Sequence, residues 1–141
     1  MDVGILRVGD KACFQKTITE ADVSLFAGIS GDFNPIHISK EAGCNSIFGD
    51  RIVHGMLSAS LISTVIGMQL PGPGTIYMEQ NCKFKKAVYI GDTLTAWVTL
   101  IDIVNKEKGI VKLECSVLNQ KSESVIEGFA IVKIDKNRLE D

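Results

Sequence analysis

Two side chains able to exchange protons, Asp32 and His37, stand five positions apart in the run Ser30-Gly31-Asp32-Phe33-Asn34-Pro35-Ile36-His37. On a regular helix that separation would splay them, because same-face neighbours recur at three and four. A helix cannot run through this stretch. Pro35 has no N–H and drives Asn34 before it into an extended conformation. Gly31 lets the backbone turn, and Asp32 and Asn34 can hydrogen-bond their own main chain. Across such a turn a carboxylate and an imidazole can converge on one water, an arrangement for general acid–base catalysis. The same residue types also populate turns for conformational reasons alone, so spacing leaves both readings open.

A second group, Val53-His54-Gly55, precedes an apolar run. A helix N-terminus presents unpaired N–H groups and partial positive charge, and a glycine there admits a ligand close to the backbone. The Gly55 N–H could polarise a carbonyl oxygen as an oxyanion hole does. Equally, Gly55 could be a small residue at a tight helix entry, and His54 a helix-start residue satisfied by backbone. Ser63 follows Gly55 by eight positions, just over two turns, near the same helix side. It could orient a buried carboxylate or bond back to a carbonyl one turn earlier. Lys83, Lys85 and Lys86 could meet ligand phosphates or form a solvated strand face.

These groups must be held by elements that the pattern predicts. Residues 11–19 alternate loosely as a first strand. Thr19 then reads as an N-cap with Asp22 three positions on, and Val23, Phe26, Ala27 and Ile29 suit about three helical turns. Residues 39–43 suggest one capped turn, followed by a loop anchored by Ile47 and Phe48 that covers or shapes something. No charged side chain falls between Arg51 and Glu79, and residues 52–70 are apolar on nearly every face. Such a helix is buried or spans a membrane. Residues 56–70 fall short of the roughly 17–25 needed to span, carry four hydroxyls, and end at Pro71-Gly72-Pro73-Gly74. A central helix buried on all sides is the reading. Strands are expected over 75–87, 92–104, 109–118 and 124–134, with a hairpin turn at 105–109. The class is α+β, an antiparallel sheet around one buried helix.

The 141 residues suit a single domain, 1–141, with no linker or repeat. A net charge of −2, with no basic run longer than two, argues against nucleic acid or an anionic membrane. Cys13, Cys44, Cys82 and Cys115 form no CxxC or Cys/His ligand pair, so no metal is expected. They read as buried thiols in a reducing compartment. Residues 1–7 lack the charged start and apolar core of a secretory leader, and the cytoplasm is the expected location.

Together these residues resemble the (R)-specific enoyl-CoA hydratases, the hydratase-2 or MaoC-like branch of the hot-dog fold. The S/T-G-D-x-N-P-aliphatic-H signature matches from Ser30 to His37, and the I-V-H-G-M segment matches Ile52 to Met56. The likeness covers nearly the whole chain. One departure is Gly43, in place of the usual Ala or Ser, expected to loosen the overhanging segment slightly.

The resemblance implies a hot-dog domain, with an overhang carrying the catalytic turn, that pairs as a homodimer. It implies reversible hydration of trans-2-enoyl-CoA to (R)-3-hydroxyacyl-CoA without cofactor. Asp32 and His37 would activate the water and shuttle protons, Asn34 would fix the turn, and the Gly55 N–H would bind the thioester oxygen. Ser63 matches a position contacting the catalytic carboxylate, with His54 in support. Two alternatives remain: an acyl-CoA thioesterase, and a non-catalytic acyl-CoA-binding module. Against the first, residues 56–70 contain no Asp or Glu; against the second, Asp32 and His37 are both present. Acyl length would depend on which of Leu57, Leu61, Ile66, Met68 and Met78 face the pocket. The pathway, whether polyhydroxyalkanoate supply, fatty-acid metabolism or fermentation, stays open.

Overall fold

Alternation builds the sheet. In β3 (Thr93–Asn105) and β4 (Ile110–Leu118), Leu94, Ala96, Val98 and Leu100 and then Val111, Leu113, Cys115 and Val117 point inward, with no more than 1% exposure. Register places Val98 opposite Cys115 and Leu100 opposite Leu113, so the apolar side chains share one face. With β1 (Lys11–Thr17), β2 (Ile76–Phe84) and β5 (Ser124–Lys133), they form a five-stranded antiparallel sheet in the order β1-β3-β4-β5-β2. This is a computed structural model, and it describes residues 4–140. Residues 1–3, part of the stretch read as lacking a leader, lie outside the described residues.

Among the described residues there are four α-helices, α1 (Glu20–Ser30), α2 (Pro35–Ile38), α3 (Lys40–Cys44) and α4 (Gly55–Met68), of which α4 packs on the sheet. α1 begins as expected, with Thr19 Oγ1 accepting from the Asp22 N–H and Asp22 Oδ2 accepting from the Thr19 N–H. α3 is the expected capped turn, with Ser39 Oγ accepting from the Ala42 N–H.

α4 departs from expectation. It buries Ser58, Leu61, Ile62, Val65 and Ile66, one helical stripe, against β3, β1 and β4. Its other flank, with Met56 63% exposed and Ser60, Ser63 and Met68 also exposed, faces solvent beside β2. The helix is therefore buried on one side only. Periodicity records which residues are apolar, not which of them this chain's own sheet covers.

Three local expectations are also corrected. Ile47 is 96% exposed and anchors nothing, whereas Phe48 is half-buried. Gly43 does not loosen the overhang: it is buried, and a Cβ there would collide with the Arg51 backbone. Of the four free cysteines only Cys115 is buried, where burial pushes its thiol up to about 12; Cys44 is exposed. No helix among the described residues is long and apolar enough to cross a membrane.

Candidate active site

The turn after α1 is assembled by short-range bonds. Gly31 ends the helix in the left-handed region (φ 79°), its N–H donating to the Ala27 carbonyl. Ser30 Oγ accepts from the Asp32 N–H (3.1 Å), Asp32 Oδ1 from the Asn34 N–H (3.2 Å), and Asn34 Oδ1 from the Ile36 N–H (3.3 Å). Pro35 does not simply stop a helix; it opens α2 as its first residue, with Asn34 as cap. His37 sits on that turn, 9% exposed, while Asp32 is exposed.

Long-range bonds then orient the imidazoles. His37 Nδ1 lies 2.7 Å from the Ile52 carbonyl oxygen, and His54 Nε2 lies 2.8 Å from the Asp32 carbonyl oxygen. A carbonyl only accepts, so each of these ring nitrogens carries a proton. In the neutral imidazoles the lone pairs are left on His37 Nε2 and His54 Nδ1. His54 is 1% exposed, and its ring packs at a tilt against His37 (centroids 4.0 Å apart) and Phe26 (4.9 Å). One ligand-type atom each from Asp32, His37 and His54 falls within 4.8 Å of the others. The carboxylate and the His37 imidazole do converge, as the turn predicted. The same three side chains could approach a divalent cation, but only through a His54 Nδ1 that has no accessible surface.

The start of α4 faces the same space. His54 is its N-cap residue yet makes no side-chain cap bond, so no side chain closes the opening turn at Gly55. A Cβ on Gly55 would come 2.9 Å from Phe84 Cε1, so the absence of one lets the Phe84 ring lie against the helix start. A cavity of about 340 Å³ is lined by His37, Gly55, Ser58, Ile52, Val88 and Ile126, among others. Lys85 and Lys86 are on its wall; Lys86 pairs with Glu123, and Lys85 lies 3.9 Å from Glu127. Lys83 is exposed.

Ser63 is not brought to this cluster within the chain. It lines a separate groove of about 500 Å³ between α4 and β2, with Met56, Ala59, Tyr77 and Cys82. Phe84 stands between the two spaces and lines both. Of the residues named for acyl length, Leu61 and Ile66 are in the core and Met68 and Met78 are exposed; none of the five lines the His37 cavity. Sequence reasoning missed Ile52, whose carbonyl sets the His37 tautomer, as well as Phe26 and Phe84. Ser58 carried a signal, being a hydroxyl within a nearly continuous apolar run.

The MaoC like domain family matches residues 7–123. The (R)-specific enoyl-CoA hydratase of Rhodospirillum rubrum is 45% identical over 92% of this chain and 88% of its own length. The 3-hydroxybutyryl-CoA dehydratase of Methylorubrum extorquens is 39% identical over 96% and 85%. A solved structure, an (R)-hydratase from A. caviae involved in PHA biosynthesis, superposes with a TM-score of 0.88 at 40% identity. It covers 92% of this chain and 98% of that one.

Proposed function

The chain belongs to the MaoC like domain family, and from that membership we propose that it is an (R)-specific enoyl-CoA hydratase working through Asp32 and His37. The observation that carries the reading is the convergence of the Asp32 carboxylate and His37 imidazole, with the Nδ1 proton of His37 committed to the Ile52 carbonyl. His37 Nε2 is thereby a fixed lone pair, and a water held between it and the carboxylate is polarised as a nucleophile.

The water oxygen bonds to C3 of the trans-2-enoyl thioester while the pair takes one of its protons. The displaced electrons run to the thioester oxygen, where the Gly55 N–H at the α4 start stabilises the enolate charge. The pair then returns a proton to C2, giving the (R)-3-hydroxyacyl thioester. Read backwards, the same steps dehydrate. Asn34 holds the turn and His54 holds the Asp32 main chain.

A homodimer is part of the proposal. Among the described residues β2 ends the sheet with no strand on its outer edge, and Ile76, Tyr77, Met78 and Phe84 on it are exposed. Beside it lies the apolar groove of α4, and a second copy would cover both. One domain over 1–141, resident in the cytoplasm with free thiols, completes the reading.

The test follows loss of the conjugated enoyl-thioester absorbance with crotonyl-CoA, and the chirality of the product. Wild type should turn over to the (R)-alcohol. Asp32→Asn and His37→Ala, folded by circular dichroism, should each lose at least about a hundredfold in kcat. Thiol release outpacing hydration would instead make it a thioesterase. Acyl-CoA binding without turnover would make it a binding module.

A further inference from the structure

Helical hydroxyls ordinarily close on a carbonyl one turn back, and among the described residues Ser30, Ser60 and Thr64 do. Ser30 Oγ donates to the Phe26 carbonyl at 2.7 Å, Ser60 Oγ to Leu57 at 2.5 Å, and Thr64 Oγ1 to Ser60 at 3.5 Å. Ser58 does not. It is 1% exposed, its Oγ has no hydrogen-bond partner among the described residues, and it lines the same cavity as His37 and Gly55. An unpaired buried hydroxyl is destabilising, and the cavity is where a partner can come from.

Geometry narrows what that partner is. Ser58 follows Gly55 by three residues, so both lie on one helix face. Helical side chains lean toward the N-terminus, which aims the Ser58 hydroxyl at the uncapped opening turn. A hydroxyl has one hydrogen to give, and an oxygen gaining negative charge at a helix start is an acceptor that tightens as the reaction proceeds. Resting on the hydratase reading, we propose that Ser58 Oγ–H is a second donor to the thioester oxygen, acting beside the Gly55 N–H as enolate charge develops. The rival acceptor is His54 Nδ1, likewise buried and unpaired, four residues earlier on the chain. A bond to it would act on His37 through the ring contact and leave the thioester untouched.

Ser58→Ala separates these cases. With crotonyl-CoA, kcat is expected to fall about a hundredfold, the scale of losing one oxyanion-hole donor. KM should stay within about twofold, the pH profile should be unmoved, and Tm should hold or rise as the orphan hydroxyl disappears. A second readout needs no turnover. A cinnamoyl-CoA chromophore bound to Asp32→Asn protein should be red-shifted by carbonyl polarisation, and adding Ser58→Ala should shrink that shift. Unchanged kcat with an unchanged shift overturns the proposal. So does a kcat loss that moves the pH profile but leaves the shift intact, which assigns the hydroxyl to His54. If wild type shifts the probe yet hydrates no enoyl-CoA, and Ser58→Ala abolishes the shift, the hydratase reading fails while the donor assignment stands.

Discussion

His54 holds the candidate site together through its contacts with the other members. Its Nε2 holds the Asp32 main-chain carbonyl, and its ring packs on His37. The side chain that looked like a routine helix start ties together two segments 22 residues apart. Gly43 makes the complementary point, because what matters there is the side chain it lacks. Its position against the Arg51 backbone leaves no room for a Cβ, and Arg51 in turn pairs with Glu20 at the head of α1. Gly43→Ala should therefore destabilise the fold by about 1–3 kcal/mol, the usual penalty for overpacking. Denaturant unfolding monitored at the single tryptophan, Trp97, would measure it. No change in midpoint would show that the overhang yields freely.

Among the elements, α1 matters because the turn carrying Asp32 and His37 hangs from its C-terminus. Its start is held by the reciprocal Thr19–Asp22 bonds, with Lys16 3.1 Å from the Asp22 carboxylate. The Thr19 N–H foremost, opposed by burial and aided by Lys16 and the Thr19 side chain, holds the Asp22 carboxyl below its usual range. A lowered folded-state value means the contribution is full above the ordinary carboxylate range and is lost as pH falls through it. Thr19→Ala should cost about 1 kcal/mol at neutral pH. Asp22→Ala should lower Tm at pH 7, and the gap from wild type should close on acidification toward pH 2. A gap that persisted in acid would place the effect in packing and not in the charge. This much of α1 was legible in the sequence, because a cap and a capping box involve residues only three apart.

The whole molecule poses a different question, since its apolar α4 flank and its bare β2 edge lie side by side. Area of this kind is not left to water without cost, and in the proposed dimer a second copy presenting the same face would close it symmetrically. Ala59 lines the groove away from the Asp32–His37 cluster. Ala59→Glu would place a carboxylate in that contact, where an unpaired buried charge is strongly unfavourable. Sedimentation velocity should then show wild type as a dimer and the variant as a folded monomer. A monomeric wild type at micromolar concentration would sink the dimer.

Features that form within a turn or two of chain were legible from residue types alone. These are the caps of α1 and α3, the left-handed Gly31, the turn that brings Asp32 and His37 together, and the alternation that chooses the sheet's inner face. Each depends on dihedral preferences and on bonds between near neighbours, which residue types declare. Residue types leave open which carbonyls claim the His37 and His54 protons, which side of α4 the sheet covers, and which spaces Ser63 and Ser58 face. Those outcomes depend on where distant segments dock. An apolar helix with hydroxyls spaced around it is compatible with several dockings until the strands choose one.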